Sequence, residues 1–270
     1  MFWISHYGEE NNMRIYDNKI KNKAYFLYRV VTQIFDPVRF IFGVYGYFWF
    51  IRDIFVFKLK NQKESILTGN LFPMLHDNKD FTPFDAQYFF QQLWAFEQIL
   101  NNKPTQHIDI GSMYQFGGYL SKIVKTVFVD IRPIETNLRN LQIRKGDILQ
   151  LPFDDDSIES LSCLHVVEHI GLGRYGDKID PDGAEKACKE LARVLMPNGI
   201  LYVSVPMGKD RLCFNAHRVL SASRMIRYFS SLDLKSFSYV DDNGVFHEDV
   251  KLTDYTDGHY ECGMFKFTKK

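Results

Sequence analysis

One stretch constrains this chain more than any other: His107-Ile-Asp-Ile-Gly-Ser-Met-Tyr-Gln-Phe-Gly-Gly118. Two isoleucines flank an acid, a glycine turn follows, and a helical pattern runs from Tyr119 to Val124. This is how the first strand, loop and helix of a doubly wound α/β domain read, and such folds bind ligands beyond the carboxyl end of that strand. Gly111 lets the backbone turn tightly, and the helix start beyond it offers unsatisfied N–H groups. Everything after this stretch can be placed around it, and residues 1–80 read as an extension and linker before an α/β domain at 81–270.

Composition removes several classes of function. Lys+Arg and Asp+Glu are equal at 33 each, without the basic excess of a general nucleic-acid binder. The cysteines Cys163, Cys188, Cys213 and Cys262 are widely spaced, with no CxxC pair. They point to reduced thiols in the cytoplasm and not to a disulfide frame or a metal site. The Met1–Glu10 start lacks a basic region followed by an apolar run, so no signal peptide is expected.

Residues 1–60 carry nine Lys/Arg against five Asp/Glu, a local excess of +4. They also hold Phe40–Ile51, an uncharged aromatic run bracketed by Arg39 and Arg52. That run is shorter than the roughly 20 residues a transmembrane helix needs. Two readings stay open: an aromatic helix packed on the α/β domain or covering its pocket, or an interfacial helix making peripheral membrane contact through residues 38–57. The second would place a cytoplasmic protein at the inner face of the membrane.

After a loop at 61–81, Thr82, Pro83 and Asp85 predict a helix start, and Phe89, Leu93, Phe96 and Leu100 form its apolar stripe. Strands are expected at 107–110, 126–131, 141–144, 158–165, 200–206 and 260–267. Asp182 caps a helix whose buried face is Ala184, Ala187, Cys188, Leu191, Val194 and Leu195. A further helix is expected at 221–229, and Asp241–Gly244 marks a hairpin turn. Alternating strands and helices imply a mostly parallel sheet with an antiparallel end.

Asp130 lies 19 residues after Gly111, at the end of the second strand, where an acid in dinucleotide-type folds takes ribose hydroxyls. Asp147 follows the third strand, within reach of a base. The NAD fingerprint G-x-G-x-x-G is matched only at Gly111, with Met113 and Phe116 at its other glycine positions. Asp109-Ile-Gly111, Val129-Asp-Ile131, Gly146-Asp147, Leu151–Ser157 and Leu195–Val203 together resemble class I S-adenosylmethionine-dependent methyltransferases, over about residues 105–206. The resemblance implies their seven-stranded Rossmann-like sheet with an antiparallel terminal strand. It also implies that Asp109 and Gly111 line the methionine part of the cofactor, Asp130 the ribose and Asp147 the adenine, with Ser112, Ile131, Ile148 and His165 completing the set. Met113 and Gln115 stand where that family has further glycines, which leaves the path of the methionine loop open.

A narrower resemblance rests on Ser162–Asp177, Ser204–Gly208, Asn215–Val219 and Glu261–Phe265. These look like a family catalogued as domain of unknown function 268, DUF268, from near residue 35 to the end. His165-Val-Val-Glu-His169 also spells the inverted zinc-protease pattern, which requires both histidines on one helix. His165 instead closes a strand, so a pocket is the better reading. There His165, then His169, is the candidate base for a hydroxyl acceptor, oriented by Glu168. Arg174, Tyr175 and Asp177 of the glycine-rich loop, with Arg211, Asn215, His217 and Arg218 beyond the fifth strand, form the candidate acceptor rim. Arginine grips phosphate or carboxylate in a bidentate manner, so the expected partner is a small polar, anionic or sugar-linked molecule, in surface glycan biosynthesis. An NAD-dependent enzyme and a non-catalytic binding module on the same fold are the alternatives.

Overall fold

The computed structural model describes residues 19–60 and 63–270. The expectation that Met1–Glu10 is not a signal peptide lies outside them. The chain divides into two compact units, Met1–Phe84 and Asp85–Lys270.

In the first unit, α1 spans Lys19–Thr32 and α2 spans Pro37–Lys60. Pro37 suits the first position of α2, where its missing N–H costs no hydrogen bond, and the Asp36 carboxylate accepts from the N–H of Arg39. The helix does not stop with the aromatic run. Arg52 and Asp53 pair with each other at 2.8 Å, so the turn continues through them to Lys60. By length and composition α2 is therefore long and apolar enough to cross a membrane, which the count of uncharged residues alone had excluded. Its middle is crossed by the returning chain. Gly46 is buried, and a Cβ placed there would lie 2.8 Å from Leu75 Cβ and 2.9 Å from its carbonyl oxygen.

The second unit is a single sheet with helices on both faces. Its strands are β1 (Gln106–Ile110), β2 (Lys125–Asp130), β3 (Leu141–Lys145), β4 (Ile158–Leu164), β5 (Leu195–Met207), β8 (Leu232–Val240), β9 (Phe246–His247) and β10 (Glu261–Lys269). Their order is β3-β2-β1-β4-β5-β10-β8-β9. The strands β1 to β5 pair in parallel. The last strand in sequence, β10, inserts antiparallel between β5 and β8. These seven long strands make the methyltransferase-type sheet, and β9 is an added edge of two residues. A separate hairpin, β6 (Arg211–Cys213) with β7 (His217–Val219), follows β5 and had no clear period in the sequence.

Alternation along the strands supplies both core layers. Ile108, Ile110, Leu161, Cys163, Leu201, Val203, Phe265 and Phe267 face the cluster completed by α5 (Gly183–Val194) and α6 (Ala222–Tyr228). Tyr202, Cys262 and Met264 face the cluster completed by α3 (Ala86–Asn102) and α4 (Tyr114–Leu120). Each large apolar side chain so covered contributes about 1.5–3 kcal/mol.

Four local expectations are corrected. Asp85, not Thr82, caps α3, its carboxylate accepting from the N–H of Tyr88 at 3.1 Å. The face that α3 buries is Gln91, Trp94, Ala95 and Ile99, whereas Phe89, Leu93 and Leu100 of the expected stripe are about half exposed. Both faces are apolar, so periodicity alone had no way to choose between them. Finally, α4 starts at Tyr114, not Tyr119, and α5 runs straight into β5, so Pro197-Asn-Gly199 lies inside the strand's span.

Candidate active site

The site lies where the parallel strands end. Gly111 adopts a left-handed φ of 65°, and its N–H bonds the carbonyl of Val129, which locks the end of β1 to β2. A Cβ placed on Gly111 would meet Val166 Cγ1 at 3.3 Å and Asp130 Oδ2 at 3.9 Å. Only glycine fits there, because the ends of β1, β2 and β4 approach one another closely at that point. Asp130 spends Oδ1 on the N–H of Arg132 at 2.6 Å and leaves Oδ2 toward that point. A carboxylate oxygen so placed suits a ribose hydroxyl.

Asp109 does not line the crevice. It is fully buried, accepting from the N–H of Ser112 at 3.2 Å and from the hydroxyl of Ser162. The Ser162 hydroxyl also meets His107 Nε2 at 2.8 Å, and His107 Nδ1 meets Ser160 Oγ at 2.8 Å. Because Ser162 donates to Asp109, it must accept from His107, which assigns the imidazole proton to Nε2 and makes Ser160 the donor to Nδ1. Burial holds His107 neutral, down at about 3. Burial also pushes Asp109 up to about 7, against the hydrogen bonds from Ser162 and Ser112. The network ends at Ser112 Oγ, which accepts from the N–H of Leu164 at 3.0 Å and so ties the β1 loop to the end of β4. Sequence reading missed His107, Ser160 and Ser162 in this role. The signal was alternation, since His107 and Asp109 share the strand face opposite Ile108 and Ile110.

Of the other expected cofactor residues, Ile148 and Ser112 are buried and Ile131 is exposed. Asp147 is exposed, its Oδ1 accepting from the N–H of Leu149 in a tight turn.

At the end of β4, His165 takes a left-handed φ of 54° and a single 3-10 turn carries Val167–His169. The two histidines are therefore not on one α-helix, and the zinc-protease arrangement is not formed. They flank Glu168 instead. Glu168 Oε1 lies 3.4 Å from His165 Nδ1 and 3.7 Å from His169 Nε2. His165 Nε2 lies 3.3 Å from the Sγ of Cys262, so both its ring nitrogens face protein groups. Cys262 is thus a neighbour of the cluster and not merely core. Burial keeps its thiol protonated, well above the usual thiol range.

His169 Nδ1 lies 2.7 Å from the carbonyl of Ala216. A carbonyl only accepts, so Nδ1 carries the proton and Nε2 keeps the lone pair in the neutral ring. His165 and His169 thus differ in what their outer ring nitrogens meet, a thiol for the one and a backbone carbonyl for the other. Burial holds His165 at about 3 and His169 at about 4, the latter partly raised by the Ala216 carbonyl.

The rim residues separate into two groups. Arg218 is buried and donates to the carbonyls of Glu168 at 3.4 Å, Ile170 at 2.7 Å and Pro181 at 3.2 Å. Asp177 accepts from the N–H of Gly171 at 2.7 Å and of Tyr175 at 3.3 Å. Both hold the loop together, so neither is placed to grip an acceptor. His217 is buried between His169 and Tyr260, with ring centroids at 6.2 and 5.6 Å. Asn215 is exposed. Tyr175 sits between Arg132 and Arg174, whose guanidinium carbons lie 4.7 and 5.1 Å from its ring centre, and it meets His169 edge-on at 5.5 Å. Arg174 donates to the Ala216 carbonyl at 3.0 Å. Arg211 is different. It lies 6.0 Å over the ring of Tyr260 and donates Nη1 to the Lys209 carbonyl, while its Nε and Nη2 are buried without a protein partner. Those two nitrogens form the edge of a guanidinium that takes a carboxylate or phosphate side-on.

Residues 144–254 match the DUF268 family, described as Caenorhabditis protein of unknown function. That match is shorter than the span from residue 35 expected from sequence, and it takes in Glu168, His169, the glycine-rich loop and the β6–β7 hairpin. An uncharacterized protein of Methanocaldococcus jannaschii is 26% identical over 170 residues, covering 60% of this chain and 68% of its own. Among solved structures, the 1,6-didemethyltoxoflavin-N1-methyltransferase of Burkholderia thailandensis, solved with S-adenosylhomocysteine, is similar at a TM-score of 0.50 and 13% identity, covering 72% of this chain and 84% of that one. The [4+2]-cyclase SpnF is similar to the same degree, at 0.50 and 11% identity with the same coverage. These likenesses establish a Rossmann-like, class I methyltransferase fold. One neighbour is a methyltransferase and the other a cyclase, so the reaction must be argued from the site.

Proposed function

We propose that this protein is an S-adenosylmethionine-dependent methyltransferase acting on a hydroxyl of a small polar acceptor. The observation that carries the reading is the placement of the Gly111 turn beside the Asp130 carboxylate at the carboxyl end of a methyltransferase-type sheet. Asp130 would hold the ribose, and the Gly111–Ser112 turn, braced by Asp109, would pass beneath the methionine part. Asp147 and Ile148 would meet the adenine. When bound, S-adenosylmethionine supplies a methyl group already activated on a sulfonium.

The chain then supplies alignment and a place for the acceptor proton. His169 Nε2 receives that proton as the acceptor oxygen attacks, and the nearby Glu168 carboxylate balances the imidazolium. Burial, which lowers the ring to about 4, leaves it unprotonated at neutral pH, and the imidazolium would form only as the Glu168 carboxylate offsets its charge. Arg211 supports an anionic acceptor, such as a phosphorylated or nucleotide-linked sugar, and with it a role in surface glycan biosynthesis. The four free cysteines fit a cytoplasmic protein.

Calorimetric titration of the full chain with S-adenosylmethionine, S-adenosylhomocysteine and NAD tests the cofactor. Micromolar binding of the first two and none of NAD is the expected result. Binding of NAD alone would sink the reading in favour of an oxidoreductase, and binding of none would favour a non-catalytic module.

A further inference from the structure

The N-terminal unit carries a surface that the active site does not explain. We infer that α2 lies in the surface of an anionic lipid bilayer, with one defined face in the acyl region. At about 100° per residue, Ile41, Val44, Phe48, Ile51, Phe55 and Leu59 fall on one side of the helix. All six are exposed, Phe48 at 70% and Leu59 at 84%. The stripe runs for roughly 27 Å along the axis.

The opposite side is the one closed by protein. It carries Gly46, against which the backbone of Leu75 is packed, and Gly43, where a Cβ would lie 3.6 Å from the His76 ring. Arg39, Asp53 and Lys60 project on this same side by the same spacing, together with Phe42, Phe50 and Phe57. That arrangement separates lying from spanning. The Leu75–His76 backbone crosses α2 near its middle, and in a spanning helix its polar groups would sit in hydrocarbon without water to satisfy them. In the interface the covered side faces water and the apolar stripe faces lipid.

Charge identifies the lipid. Residues 19–60 hold eight Lys/Arg against two Asp, a net of +6, in a chain whose total charge is zero. Basic flanks on an apolar helix draw it to anionic headgroups, with the apolar face sunk about 5–10 Å into the headgroup and acyl boundary. Nothing in this inference depends on the methyl-transfer reading.

The test uses the full-length chain, floated on a density gradient with vesicles of phosphatidylcholine and phosphatidylglycerol in equal parts, and with phosphatidylcholine alone. The wild type is expected to float with the mixed vesicles, to be released by alkaline carbonate, and to float poorly with phosphatidylcholine. The double variant Phe48→Glu, Phe55→Glu is expected to lose at least about tenfold of the bound fraction, since it places two charges on the lipid face. Both side chains are exposed, so the variant should keep the wild-type circular dichroism and melting curve. Three results would overturn the inference. They are failure of the wild type to float with either vesicle, equal flotation of the double variant, and retention after carbonate, which would mean a span. A dimer that the double variant splits, in a chain that does not float, would instead assign the face to a second copy.

Discussion

Two helices of similar regularity, α5 and α2, meet opposite fates. In α5 the apolar residues Ala187, Cys188, Leu191 and Val194 fall on one face and are wholly buried against the sheet, while Glu185 and Lys189 pair across the solvent face at 2.7 Å. In α2 apolar residues occupy nearly every side, and only Gly46 is buried. The sheet completes one helix; the other is crossed at its middle by Leu75–His76 of its own unit. The lesson is that exposed apolar area in this protein is concentrated in one unit, so a missing partner belongs to that unit and not to the α/β core.

The sharpest way to break the contrast is Gly171→Ala. The position has a φ of 81°, and a Cβ would stand 2.0 Å from the Asp180 carbonyl. A loss of about 3–5 kcal/mol is expected from that strain, read as a lower urea midpoint. Next comes Asp130→Ala, which removes a charged acceptor for two hydroxyls. S-adenosylhomocysteine should bind roughly a hundredfold more weakly, since each such bond is worth about 1.5–3 kcal/mol. Unchanged affinity by calorimetry would displace Asp130 from the ribose.

The buried histidines give the core its own pH signature. His107 and His165 are held near 3 and His169 near 4, all below the 6.5 of a free ring. Between those values the unfolded chain takes up protons that the folded one refuses, so stability falls as pH drops below about 6.5. Asp109, raised from 3.8 to about 7, opposes this by favouring the fold as pH falls. Asp85 and Glu261, also raised by burial, act in the same sense as Asp109 but from lower ordinary values, so the three histidines prevail and the urea midpoint should drop between pH 6.5 and pH 4.5. Each uncompensated proton is worth up to about 1.4 kcal/mol per pH unit. A flat midpoint over that range would show that the rings titrate normally.

Gly46→Leu should act on the first unit alone. The clash with Leu75 should raise the rate of proteolysis around residues 63–84, with no change in S-adenosylhomocysteine affinity. The smallest effect is expected for Lys189→Ala, which removes one exposed i,i+4 pair and should leave the melting curve barely shifted.

Much of this was legible before the structure. Alternating Ile108 and Ile110, the glycine at 111 and the acid at 130 placed the first βαβ unit and the turn that follows β1, because period and turn chemistry are local properties. The roles of the rim residues were not legible. Arg211 and Arg218 look alike in sequence, yet one spends its guanidinium on three backbone carbonyls and the other keeps an edge unpaired. That difference depends on where distant carbonyls fall. The choice between His165 and His169 likewise rested on Cys262, which comes from the last strand, and on the Ala216 carbonyl in the hairpin.

The sequence by itself determined the order of elements, the glycine turn that follows the first strand, and the aromatic, basic character of residues 1–60. Those follow from periodicity, glycine and charge, which each segment carries alone. Only the tertiary structure decided which face of α3 is buried, which way the His107–Asp109 network points, which groups the two histidines meet, and which side of α2 is covered. Each of these is a contest between equivalent local options, and it is settled by a neighbour that is remote in sequence and adjacent in space.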